Sequence, residues 1–177
     1  LNLLCVATLT PRKGHLDLLE ALSGLADRPW LLTCIGSRGR NPDTAAAISA
    51  EVSRLGLEER VSLVGEMDPS LLIECYLEAD VFVLASHMEG YGMVLSEALS
   101  FGLPIVSTTA GAIPDTVPPQ AALLVPPGDS HALQLALGAV IDDPDLRWRL
   151  ALASWNAGCE LPTWEQASRQ FAHVLAR

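Results

Sequence analysis

The chain has 177 residues, half of them hydrophobic and 18% charged, enough for one domain with a substantial core. A formal net charge of −10 excludes the basic face that a nucleic-acid backbone binder needs, so no nucleic-acid partner is expected. The apolar runs are strand-sized and interrupted, so no transmembrane segment is expected either.

LNLLCVAT reads as a first strand. It lacks the basic leader and cleavage site of a signal peptide. The chain opens on Leu1 without a Met and runs straight into that strand, which reads as a fragment of a longer protein. A loop, TPRKG, follows, punctuated by Pro11 and Gly14. HLDLLEALSGLA repeats Leu16, Leu18, Leu19, Leu22 and Leu25 at helical spacing. WLLTCIG is a second strand. After the loop SRGRNPD, Asp43 or Thr44 is the expected cap of a helix running to about Leu55 and closed by Gly56.

VSLVG is the third strand, and Asp68–Pro69 opens the helix PSLLIECYLEA. VFVLAS is the fourth strand. The turn EGYG leads from it into the helix MVLSEALSFG. LPIVST is the fifth strand, TAGAIPDTV a loop with a short turn, and AALLVPPGD the sixth strand. Asp129 or Ser130 caps a helix to about Ile141. A further helix begins at Pro144, and a last one at Thr163–Glu165. Asp142 and Asp143, adjacent acids, read as a helix boundary before Pro144 rather than a metal pair.

Strands alternate with helices throughout. That order predicts an α/β fold: a doubly wound, Rossmann-like parallel sheet of about six strands with helices on both faces. Ligands bind such sheets beyond the carboxyl ends of the strands. The loops to watch are therefore 9–14, 36–41, 65–68, 86–92 and 108–114. The strand–glycine–helix turn at Gly90 and Gly92 leaves amides free at the positive end of a helix, which suits an anion. Glu97, in the second turn of that helix, can face the same crevice. Several of the few cations gather in two places, Arg12 with Lys13 and Arg38 with Arg40, which fits a small phosphorylated ligand.

Cys5, Cys34, Cys75 and Cys159 are far apart in sequence and show no metal-type spacing. They read as reduced core residues of a cytoplasmic chain. His15 reads as a helix-start residue, and His87 is a candidate sugar contact. Trp148, Trp155 and Trp164 read as packing residues on helices.

PRKG, LVGEM, SHMEGYGMVLSEALSFGLPIVSTTAGAIPD and LLVPPGD, in that order, resemble the C-terminal, donor-binding half of a retaining GT-B glycosyltransferase. The resemblance is to the large group 1, or family 4, type that includes sucrose synthases and phosphatidylinositol mannosyltransferases, and it covers nearly the whole chain. It implies that residues 1–177 form a single nucleotide-sugar-binding domain lacking the N-terminal acceptor domain of the same full-length protein. It implies a nucleotide-diphosphate sugar as co-substrate, with no other cofactor and no metal. Any attachment to a membrane would come through the missing domain.

By the same resemblance Lys13 meets the diphosphate and Glu89 the hydroxyls of the transferred sugar. Gly90, Tyr91, Gly92 and Met93 line the sugar–diphosphate path, and Glu97 binds the ribose. The base packs near Val64, Gly65 and Met67. The physics agrees: a carboxylate accepts from two vicinal hydroxyls, and glycine admits phosphate close to the backbone. The sequence departs from the family at Ala7–Thr8, where relatives carry Gly-Arg, and at Ala112 and Asp115. Arg12 is the candidate substitute for the missing arginine. A domain that keeps the fold as a non-catalytic interaction module is the competing reading. A dinucleotide-dependent oxidoreductase is disfavoured, because the first loop lacks spaced glycines.

Overall fold

The computed structural model describes residues 1–162 together with 165, 166, 168 and 169. The strands are β1 (Asn2–Val6), β2 (Leu31–Ile35), β3 (Val61–Gly65), β4 (Val81–Leu84), β5 (Ile105–Thr108) and β6 (Ala122–Val125). The helices are α1 (His15–Ser23), α2 (Pro42–Arg54), α3 (Pro69–Glu78), α4 (Met93–Ser100), α5 (Ile113–Thr116), α6 (Ser130–Asp142) and α7 (Pro144–Glu160). All strand pairs are parallel, in the order β3-β2-β1-β4-β5-β6. This is the doubly wound sheet expected from the alternation of elements. Thr163 and Trp164, at the expected start of a last helix, lie outside the described residues.

Residue type decides strand position. VFVL of β4 and IVST of β5 are buried along their whole length, as strands covered on both faces must be. β3, at an edge, exposes Ser62 and Val64. The two polar side chains of β5 are buried but satisfied: Ser107 donates to the Leu84 carbonyl at 2.7 Å and Thr108 to that of Ser86 at 2.6 Å. Helices cover both faces. α1 packs on α2 and α6, while α4 packs on α5 and α7.

Several local expectations need correction. The cap of α2 is Asn41, whose side chain accepts from the Thr44 amide at 3.0 Å; Pro42 takes the first helical position and shifts the cap back. Pro11–Lys13 forms a turn of 3-10 helix instead of an open loop, and Ile113–Thr116 forms a short helix. Cys75 is only partly buried and Cys159 is exposed, so only Cys5 and Cys34 are core residues. Trp148 and Trp155 are 66% and 55% exposed, because their face of α7 looks away from the sheet. Asp129 and Asp143 cap α6 and α7 as expected, and Asp142 is held by Arg28 at 2.8 Å.

Candidate functional site

The loops after β1, β4 and β5 meet at one residue, Glu89. The first arrives along an extension of β1: Ala7 donates to the Ile35 carbonyl at 2.9 Å and Leu9 to that of Ser37 at 3.0 Å. The Pro11–Lys13 turn then ends on Gly14, at φ 64°. A side chain on Gly14 would overlap the Ala85 carbonyl oxygen, so this glycine lets the first loop lie flat on the end of β4. The His87 amide donates to the Arg12 carbonyl at 2.8 Å, tying the two loops together.

That docking delivers Lys13, 9% exposed, to Glu89, 6% exposed. The ammonium lies directly on Glu89 Oε1. The same oxygen accepts from the Ser86 hydroxyl at 2.7 Å. The loop after β5 holds Glu89 from the other side. The Ala112 amide donates to the Glu89 carbonyl at 3.0 Å, and Gly111, at φ 57°, passes so close that a Cβ would collide with that oxygen. A buried carboxylate with an ammonium and a hydroxyl on it meets the conditions under which burial of charge is tolerated.

Next to this pair the chain turns into α4. Gly90 has open space around it, and Gly92, at φ 75°, stands at the N-cap and offers no side chain to the first-turn amides. Tyr91 and Met93 are exposed. With Ser96, Glu97, Ser100, Leu161 and Pro162 they line a cavity of about 490 Å³. One Glu97 oxygen, Oε2, accepts from the Tyr76 hydroxyl at 2.8 Å. Tyr76 is locked by stacking on Phe101, with ring centroids 4.9 Å apart, and on Phe82, at 6.0 Å. Burial first, then the charge and hydrogen bond of Glu97, push the phenol well above its ordinary range, so it stays a donor.

The remaining candidates are spread around this centre. Gly65, at φ 90°, ends β3, and its carbonyl accepts from the Gly36 amide at 2.8 Å. The Arg38 side chain passes close over Gly65. Met67 is partly buried beside Cys75. Arg12 is exposed, donates to the Met88 carbonyl at 3.3 Å and, among the described residues, has no carboxylate partner. His87 meets Asp17 of α1 at 2.7 Å. Sequence reasoning missed Ser86, Tyr76 and Gly111. Gly111 stands in a quoted motif, whereas nothing in the local sequence marks Tyr76.

The model of a family described as "Glycosyl transferases group 1" matches residues 2–154. Among curated proteins the chain is similar to the D-inositol 3-phosphate glycosyltransferase of Corynebacterium glutamicum (strain R). They are 33% identical over 153 residues, which cover 82% of this chain and 36% of that protein. Among solved structures it is similar to sucrose-phosphate synthase from Thermosynechococcus elongatus, with TM-score 0.87 and 28% identity over 99% of this chain and 45% of that one. It also matches the fold of HepE from Anabaena, solved with UDP-glucose, with TM-score 0.89 and 23% identity over 99% of this chain and 48% of that one. The chain thus spans less than half the length of these relatives.

Proposed function

The chain belongs to the group 1 glycosyl transferases, and from that premise we propose that it is the donor-binding half of a retaining enzyme. Such an enzyme moves a sugar from a nucleoside-diphosphate sugar to an acceptor hydroxyl. The observation that carries this reading is the buried Lys13–Glu89 pair at the carboxyl ends of β1 and β4. It sets a cation and a hydroxyl-accepting carboxylate side by side, next to the open N-terminus of α4.

In this proposal Glu89 accepts from the sugar hydroxyls while Lys13 and the first-turn amides of α4 take up charge that builds on the departing diphosphate. Tyr76 occupies one oxygen of Glu97 and leaves the other for the ribose hydroxyls. Gly65, Val64 and Met67 form the wall for the base, and Arg12 takes the place of the arginine absent at Thr8. The acceptor approaches from the second domain, on the face the leaving group departs from. HepE, the structural neighbour solved with UDP-glucose, and the glycosyltransferase name of the Corynebacterium relative support this reading.

Calorimetry with UDP, GDP and ADP and their sugar forms tests it. One of these diphosphates should bind the 177-residue chain with a dissociation constant below millimolar, and Glu97→Ala should weaken it about tenfold. No transfer is expected without the second domain. Absence of binding by every diphosphate at millimolar concentration would favour the competing reading of a non-catalytic module, to which the Ala7–Thr8 departure points.

A further inference from the structure

Cys5 and Cys34 are 29 residues apart in the chain but are register partners on β1 and β2, so their side chains leave the sheet on the same face. α1 covers that face, and its first residue is His15. The three side chains belong to residues 1%, 2% and 3% exposed, and their ligand atoms all lie within 4.8 Å of one another. His15 Nε2 is 3.9 Å from Cys5 Sγ, and His15 Nδ1, also buried, has no hydrogen-bond partner.

The Cys34 thiol donates to Cys5 and, with the nearby His15 and Lys13, pulls the Cys5 thiol down to about 5 against the cost of burial. The hydrogen bond to Cys5 first, then burial and the charge of Cys5, hold the Cys34 thiol up.

The geometry points to a closed metal site of two sulfurs and one imidazole nitrogen, Cys5, Cys34 and His15, that takes a soft d10 cation, Cu(I) ahead of Zn(II). Bonds of about 2.3 Å to sulfur and about 2.0 Å to nitrogen, at trigonal angles, separate the two donors by about 3.7 Å. The Cys5–His15 separation needs only a small contraction to meet that. Thiolates select soft ions over Mg²⁺ and Ca²⁺. Among the described residues no fourth side-chain ligand belongs to the cluster, which suits three-coordinate Cu(I) better than tetrahedral Zn(II). Each of Cys5 and Cys34 exchanges its thiol proton for a metal–sulfur bond, and the protons pass to solvent. The ion enters as the sheet forms, since the site is closed in the folded chain. This site is separate from the donor-site reading and does not rest on it.

The test refolds the chain anaerobically with Cu(I) or with Zn(II), in a Cys75→Ser, Cys159→Ser background that removes the other thiols. Competition with a chromophoric chelator then gives affinity and stoichiometry, and a thermal melt gives the shift in Tm. One equivalent of Cu(I) should bind and raise Tm. Cys34→Ser should weaken Cu(I) binding by about 100-fold and His15→Gln by about 10-fold or more. Circular dichroism confirms that each variant folds; if Cys34→Ser does not, Cys34→Ala and His15→Gln carry the comparison. Binding equal in all variants, no binding in the parent, or Zn(II) held more tightly than Cu(I) would overturn the assignment.

Discussion

Lys13 and Glu89 are 76 residues apart in the chain, yet the ammonium of one rests on the carboxylate of the other in a setting almost closed to water. Each neutralises a charge that the interior would otherwise reject. The pair therefore couples the loops after β1 and β4 energetically as well as geometrically.

Breaking that pair from one side should be costly. Lys13→Met leaves a buried carboxylate with only the Ser86 hydroxyl, and the expected loss of stability is about 3 kcal/mol. Glu89→Gln strands the ammonium and should cost a similar amount. The double variant should cost less than the sum of the singles by more than about 1 kcal/mol. Urea unfolding of the four proteins measures this; strict additivity would mean that the two charges do not support each other.

Gly14 and Gly111 should be irreplaceable, and Gly90 should not. Ala at either of the first two combines a left-handed backbone with a collision against a carbonyl oxygen, of Ala85 or of Glu89. The backbone conformation alone costs about 1–2 kcal/mol, and the collision adds to it. Gly90 has nothing near its missing Cβ, so Gly90→Ala should stay within about 0.5 kcal/mol of the parent. A melt that ranks Gly90→Ala with the other two would contradict the packing described above.

The Tyr76–Glu97 bond should be asymmetric. Removing the carboxylate with Glu97→Ala leaves a buried phenol without an acceptor, at about 1–3 kcal/mol. Tyr76→Phe leaves a partly exposed carboxylate that water can serve, and should cost less. Equal losses in denaturant unfolding would show that the phenol finds another partner.

Tyr76 should also give the fold an alkaline limit. Its proton is held more tightly in the folded chain than at the ordinary tyrosine value of about 10. The folded state therefore binds more protons than the unfolded state above that value. The stabilisation is complete below about pH 10 and is lost as pH climbs from there toward the folded value. Stability measured against pH should fall more steeply above about pH 10 in the parent than in Tyr76→Phe. Parallel curves would remove Tyr76 as the cause.

Much of the fold was legible because it follows from local pattern. Six strands read as apolar or β-branched runs, and the helices between them carried periodic leucines or capping acids. The loops that bear Lys13, Glu89 and Gly92 could be named because ligand sites in such sheets fall after the strands. What could not be read were relations between distant segments. Nothing near Tyr76 says that it reaches Glu97, since that contact depends on how α3 and α4 stand against β4. Cys5 and Cys34 looked unrelated because their spacing is set by a strand pairing across 29 residues. The exposed Trp148 and Trp155 were misread because helical periodicity gives a face but not which way it points.

The strand order has a consequence for how the protein is made. β1 pairs with β2 on one side, but its other neighbour, β4, is synthesised only after β2 and β3. Until then Lys13 has no Glu89 to meet, and closing so long a segment is entropically expensive and slow. A chain interrupted before residue 89 cannot build this ion pair, however well its first half folds. Formation of the pair thus reports completion of the sheet's central join, and any ligand that needs both residues together would distinguish finished molecules from abandoned ones.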